Sequence, residues 1–171
     1  MACEVRVIVG NVVDHSADVL VSTANPWLNM SGGVNGEIRE RGGEGIQQEL
    51  REFLLRSGRS AVEPGTVVQT SAGSLPFRHI LHAVGIDPFY DSSVELVKST
   101  LDSAFELAAS VGAETVSLPA IATGYGHLTM SDFSLAFAQA VPSWISSFRR
   151  IRMVVRSEEN AELIRAAIAS E

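Results

Sequence analysis

The sequence predicts an α/β fold in which a largely parallel sheet lies between layers of helices. Short apolar runs of strand character alternate with segments of helical periodicity through most of the 171 residues, the pattern of βα units with both sheet faces covered. Two of these runs lead into glycine-bearing loops, at 31–36 and 122–126, far apart in the chain. In an open parallel sheet such loops gather at the carboxyl ends of the strands, where ligands bind.

The elements follow in order. Val5-Arg6-Val7-Ile8-Val9 alternates as a strand, ended by Gly10-Asn11. Val19-Leu20-Val21 reads as a strand buried on both faces. A short helix is expected over 37–41, stopped by Gly42-Gly43, and a longer one over 44–56, with Ile46, Leu50, Phe53 and Leu54 on one apolar face. Pro64-Gly65 is a turn, and 66–70 and 79–84 read as strands. Ser92 with Glu95 forms a capping box opening a helix that carries Leu101, Phe105 and Ala108–Val111 and ends at Gly112. Thr115-Val116-Ser117-Leu118 is a short buried strand. Thr129 with Asp132 caps a helix carrying Phe133, Phe137, Ala140 and Trp144 inward. Ile151–Val155 is the last strand, and Ser157 opens a last helix with Leu163, Ile164 and Ile168 inward.

Composition narrows the function classes. Hydrophobic residues make up 46% and charged residues 19%, a globular balance, and the formal net charge is −7. That charge argues against a non-specific grip on nucleic acid or an anionic membrane. One cysteine, Cys3, excludes an internal disulfide and a cysteine-rich metal cluster. Glu4 and Arg6 interrupt the first apolar run, so no signal peptide is read there. No segment approaches the ~18 apolar residues of a membrane helix. A soluble, cytoplasmic, single-domain protein spanning 1–171 is expected.

The loops carry the functional signal. Glycines allow positive φ and close approach of a ligand to the main chain. Backbone N–H groups ahead of a helix form an anion cradle. Two such loops at one sheet edge imply an anionic ligand, and a diphosphate fits two loops better than a single phosphate does. Familiar nucleotide motifs fit poorly. A P-loop needs a lysine after its glycines, and the only lysine, Lys98, lies inside a helix. A dinucleotide fingerprint is matched only in part, by Gly124, Gly126 and Thr129. There is no G-x-S-x-G elbow. His79 and His82, three apart on a strand, point to opposite faces, one to the core and one outward. His15 and His127 read as exposed loop histidines, and Glu37 as an acid favoured by a helix N-terminus. No metal site is expected.

Taken together, Gly10-Asn11-Val12, Val21-Ser22-Thr23-Ala24-Asn25, Ser31-Gly32-Gly33-Val34-Asn35-Gly36-Glu37-Ile38, Ile80-Leu81-His82-Ala83-Val84-Gly85 and Leu118-Pro119-Ala120-Ile121-Ala122-Thr123-Gly124-Tyr125-Gly126 resemble the macro domain family. The resemblance covers essentially the whole chain. It implies a three-layer α/β/α sandwich with a six- or seven-stranded mixed sheet. It also implies binding of ADP-ribose, O-acetyl-ADP-ribose or ADP-ribosylated protein, with no cofactor. By position, Ser31, Gly32, Gly33 and Val34 would cradle the diphosphate from one side. Thr123, Gly124, Tyr125 and Gly126 would cover it from the other, with further contacts at Val12, Ala24 and Ala122. Asn25 would hydrogen-bond the distal ribose, unless it caps its own loop. Arg156 stands where family members often put an aromatic against the adenine. There it either stacks on the base or stays solvated.

Three departures from the family pattern matter. Asn11 replaces an Asp that offers its carboxylate to the adenine amino group, and Ser22 replaces the first Asn of N-A-A-N. Asn35 stands where hydrolytic members commonly carry an Asp, and an amide is no general base. Three readings follow: an ADP-ribose-binding module; a hydrolase removing acetyl, phosphate or protein from ADP-ribose, in which Asn25 and Asn35 attend a water near the distal ribose; and, more distantly, a dinucleotide-dependent oxidoreductase.

Overall fold

The computed structural model describes residues 2–171; Met1, which the expected domain 1–171 also spans, lies outside the described residues. Strands β1 (Glu4–Val9), β2 (Val19–Thr23), β3 (Val67–Ser71), β4 (His79–Ala83), β5 (Thr115–Leu118) and β6 (Arg150–Val155) form one sheet in the order β1-β6-β5-β2-β4-β3. Among the described residues only β3 runs antiparallel, against β4; the remaining pairings are parallel. The mixed, mostly parallel sheet is therefore six-stranded.

Alternation along the strands sends side chains to two cores. Helices α1 (Gly33–Gly42) and α2 (Glu44–Ser57) cover one face, packing Ile38, Ile46 and Leu50 against Leu20, Ile80 and Val154. Helices α3 (Val94–Ser110), α4 (Met130–Ala140) and α5 (Glu158–Ala169) cover the other. There Leu101, Phe105, Phe133, Phe137 and Ile164 meet Val19, Val21, Val116, Ile151 and Met153. This is the α/β/α sandwich. Each fully buried Leu, Ile or Phe contributes roughly 1.5–3 kcal/mol of transfer free energy.

Five expectations need correction. α1 begins at Gly33, not near Glu37, because the glycine loop itself forms the first turn. α3 is capped by Ser93, whose hydroxyl accepts the Leu96 N–H at 3.0 Å; Ser92 instead donates its hydroxyl to the Gly85 carbonyl. Trp144 lies beyond α4, since Pro142 sits in the 3-10 turn 141–143 that follows it, and packs half-buried against Phe105. Leu163 is exposed, because α5 turns only Ala161 and Ile164 fully inward. His15 is half-buried, beside Gly10, rather than solvated. Other terminators hold: Gly112 follows α3 at φ 72, and Thr129 and Ser157 cap α4 and α5. Among the described residues no helix is long and apolar enough to cross a membrane.

Candidate functional site

The carboxyl ends of the strands border a cleft of about 780 Å³, within the size range of small-molecule sites. Its wall draws on every loop that leaves a parallel strand. Gly10 and Val12 follow β1, Ala24 and Asn25 follow β2, and Val155 and Arg156 end β6. The two glycine loops stand between them.

The first loop is a helix N-terminus. Gly32, the N-cap, has φ 64 and ψ 169, a region open essentially to glycine alone. It supplies no side-chain cap. The first helical bond is Gly36 N–H to the Gly32 carbonyl at 2.8 Å. The N–H groups of Gly33, Val34 and Asn35 precede it, and all three residues line the cleft. By contrast α3, α4 and α5 each begin under a serine or threonine hydroxyl. An uncapped helix start facing a cavity presents both free donors and the positive end of the helix dipole.

Asn35 holds this turn to the sheet. Its Nδ2 donates to the Thr23 carbonyl at 2.6 Å, and its Oδ1 accepts the Ser22 hydroxyl at 2.9 Å. The Ser that departs from the family's N-A-A-N is thus the partner of the Asn that departs from its Asp. In the next strand, His82 pairs in register with Ser22. His82 is fully buried and shares a hydrogen bond with the Thr70 hydroxyl at 2.9 Å. That hydroxyl donates to the Ser71 carbonyl, so the histidine Nε2 carries the proton. Nδ1 has no partner, and burial pushes the His82 pKa down to about 3.

Asn25 closes its own loop. Its Nδ2 donates to the Asn29 carbonyl at 2.9 Å and its Oδ1 accepts the Asn29 N–H at 3.2 Å. An amide has a second N–H and a second lone pair, and Asn25 also lines the cleft. Loop capping and ligand contact are compatible here.

The second loop is held differently. Ala122 takes φ 65, and a Cβ on Gly126 would stand 2.2 Å from the Ala122 carbonyl oxygen. Only glycine lets the chain double back there. The Ala122 N–H reaches the Thr23 hydroxyl at 3.3 Å, linking the two strand ends. Tyr125, exposed, then crosses to the first loop: a Cβ on Gly32 would lie 2.1 Å from its phenolic oxygen. The two loops therefore meet over the cleft.

At the β6 end, Arg156 lines the cleft and donates to Glu37 at 3.2 Å. Glu37, in the second turn of α1, also accepts the Asn11 Nδ2. It is an anchor for two side chains rather than a first-turn charge. Asn11 itself is not part of the cleft wall, although Gly10 and Val12 on either side are. Its Oδ1 caps the following 3-10 turn through the Val13 N–H at 3.3 Å. Of the sequence-predicted residues, Asn11 alone stays outside the wall. Ile86, Tyr90, Met130 and Asn160 join it from outside the quoted motifs, without having been foreseen. The first two were findable, because they follow the carboxyl end of β4. His79 is half-buried and His127 exposed, its Nδ1 2.8 Å from Asp91. Among the described residues no group of three His, Cys, Asp or Glu side chains gathers to hold a metal.

Comparison with known proteins agrees with this construction. The profile of the family described as Macro domain matches residues 21–134. A Pyrobaculum aerophilum protein is 36% identical over 164 residues, covering 91% of this chain and 86% of its own. The O-acetyl-ADP-ribose deacetylase of Enterobacter sp. (strain 638) is 33% identical over 175 residues, covering 95% and 92%. Among solved structures, a mutant macrodomain of Oceanobacillus iheyensis with ADPR superposes with a TM-score of 0.86 at 23% identity, over 96% of this chain and 91% of that one. At that identity the last likeness shows the shared fold.

Proposed function

The chain belongs to the macro domain family, and we infer that its cleft binds ADP-ribose. The observation that carries this reading is the uncapped N-terminus of α1 opening between two glycine loops. The diphosphate accepts from the N–H groups of Gly33, Val34 and Asn35, favoured by the dipole of a ten-residue helix. Ser31, Gly32 and Val34 bound it on one side, and Thr123, Gly124, Tyr125 and Gly126 cover it on the other. The adenosine lies toward Val12 and the Arg156 guanidinium, which the ion pair with Glu37 holds at the rim. The distal ribose lies toward Ala24, Asn25 and Ala122. Asn11 acts from behind, as the cap of the 3-10 turn that carries Val12. The relative crystallised with ADPR supports this ligand class.

The test is calorimetry with ADP-ribose, AMP and NAD. ADP-ribose is expected to bind with micromolar affinity, roughly −7 to −9 kcal/mol, and AMP far more weakly. Equal binding of AMP and ADP-ribose would contradict a two-loop diphosphate cradle. Preference for NAD would favour the dinucleotide-dependent reading.

A second reading, hydrolysis of O-acetyl-ADP-ribose, is supported by the deacetylase relative. Water would add to the acyl carbon, the ester C–O bond would break, and acetate would leave as the ribose oxygen takes a proton. Asn35 offers no base for that step, and both its polar atoms are engaged. The water would be oriented by Asn25 and the ligand's own phosphate. Acetate release from O-acetyl-ADP-ribose measures it directly. A cytoplasmic location fits a ligand made from nucleotide metabolites.

A further inference from the structure

Exposed aromatic rings are not scattered over this protein. Among the described residues the large exposed aromatics are Trp27, Phe89, Tyr90 and Tyr125. Trp27, Phe89 and Tyr90 stand on the loops after β2 and β4, at the Asn25 side of the cleft, while Tyr125 stands over the first glycine loop. Tyr90 and Tyr125 line the cleft itself. Trp27 and Tyr90 lie with ring centroids 6.3 Å apart. Phe89, 77% exposed, is next to Tyr90 at the tip of the β4–α3 loop. The Tyr90 carbonyl accepts the His127 N–H at 2.9 Å, joining that loop to the second glycine loop.

The exposure is built in. The Asp87 carboxylate accepts the N–H groups of Phe89 and Asp91 at 2.8 and 3.0 Å, and the Asp87 N–H returns to the Asp91 carbonyl. Tyr90 sits at φ 66, uncommon for a bulky residue. A closed, hydrogen-bonded loop thus holds Phe89 in water. Contiguous exposed apolar surface of this kind marks an interaction site.

Charge identifies the occupant. The loop 86–92 carries two carboxylates and no Lys or Arg. Asp91 meets the His127 Nδ1 at 2.8 Å, and among the described residues Asp87 has no basic side chain against it. Residues 25–31 and 122–127 contain no carboxylate, Lys or Arg. The aromatic faces and the carboxylates both favour a cation. The surface is continuous with the end of the cleft assigned to the distal ribose, where anything attached to that ribose must emerge.

We propose that Trp27, Phe89 and Tyr90 form a docking surface for a cationic polypeptide segment bearing the ADP-ribosyl group. Arginine or lysine side chains next to the modified residue lie over the rings beside Asp87. This inference rests on the ADP-ribose reading of the cleft. The surface makes this chain select modified basic protein over the free nucleotide.

The experiment compares free ADP-ribose with ADP-ribose joined by a hydrolysis-resistant linker to an Arg/Lys-rich peptide, an acidic peptide and a short DNA strand. Wild type and the double variant Trp27→Ser/Phe89→Ser are titrated in parallel, with folding checked by circular dichroism and Tm. The basic conjugate is expected to bind wild type at least about tenfold tighter than free ADP-ribose, or about 1.4 kcal/mol. The acidic conjugate should gain nothing. The double variant should lose the gain while keeping its affinity for free ADP-ribose. A basic conjugate that binds wild type no tighter than free ADP-ribose, or the variant as tightly as wild type, overturns the proposal. Tighter binding of the DNA conjugate overturns it in favour of a base-stacking surface. Absence of binding by free ADP-ribose itself sinks the cleft reading, and is thereby distinguished from failure of the docking surface alone.

Discussion

The two glycine loops have similar compositions and opposite constructions. The loop at 31–36 is absorbed into α1, and Asn35 ties it to the carboxyl end of β2 by two short hydrogen bonds. The loop at 122–126 belongs to no helix. Its internal bonds are few and long, such as Thr123 hydroxyl to the Ala120 carbonyl at 3.3 Å, and its tip, Tyr125, is 69% exposed. One loop is a fixed set of donors, whereas the other is a cover resting on it through Tyr125 and Gly32. A rigid cradle needs no reorganisation when an anion arrives, while a cover must lift to admit it. Hydrogen exchange should therefore be faster at 123–126 than at 36–40, where the helical bonds of α1 are made, in the free protein, and ligand should slow the former more.

Breaking the cradle has the largest expected effect. Gly33→Val puts a β-branched residue at φ 52 beside the anion volume. ADP-ribose affinity should fall more than about 1,000-fold, above ~4 kcal/mol, by calorimetry, while the fold persists. Retained affinity would move the ligand elsewhere.

Acid should loosen the cradle's platform next. His82 has a folded pKa near 3 against 6.5 when free. The unfolded chain therefore binds more protons between those values, and stability falls as pH drops from 6.5 toward 3. The loss should reach several kcal/mol by denaturant titration, at about 1.4 kcal/mol per unit of pKa difference. His82→Gln should flatten that slope, and an unchanged slope would assign acid sensitivity to other groups. Asp18 adds to it only at lower pH. Burial works against its charge, but the N–H groups of Glu114 and Thr115, the Thr115 hydroxyl and Arg78 together hold its carboxyl below 3.8.

Smaller effects separate clamp from catalyst. Asn35→Asp replaces the donor to the Thr23 carbonyl with a carboxylate oxygen, which should cost about 1–3 kcal/mol of stability. Sequence alone suggests a neutral change, because an acid suits a helix start. Acetate release should not rise above that of the wild type, and a marked rise would restore Asn35 to the chemistry. Arg156→Ala should weaken ADP-ribose by about 0.5–2 kcal/mol if the guanidinium stacks on the base. Equal affinity would leave Arg156 as the partner of Glu37 alone.

Much of this was legible in the sequence, for local reasons. Short apolar runs, alternating or continuous, and hydroxyl caps mark their own elements, so all six strands and the starts of α4 and α5 could be read. The glycine loops were readable because positive φ at Gly32 and Gly33 and the close approach of the chain at Gly126 call for glycine. The partners of Asn35, Ser22 and the Thr23 carbonyl, were not legible because they come together only once α1 packs on β2. Glu37 was likewise taken for a local charge, although its partners Asn11 and Arg156 come from β-strand ends remote in the chain. Tyr90 and Ile86 went unseen because no motif marks them. Only the parallel pairing of β4 with β2 carries them to the cleft.

The most direct measurement of the cradle is an amide NMR titration with ADP-ribose. The N–H signals of Gly33, Val34 and Asn35 should show the largest shifts, with those of Gly124–Gly126 following as the cover closes. AMP should move the Arg156 end and leave Gly33–Asn35 little changed. Saturating ADP-ribose that leaves the Gly33, Val34 and Asn35 amides unmoved would contradict a helix-terminus diphosphate site.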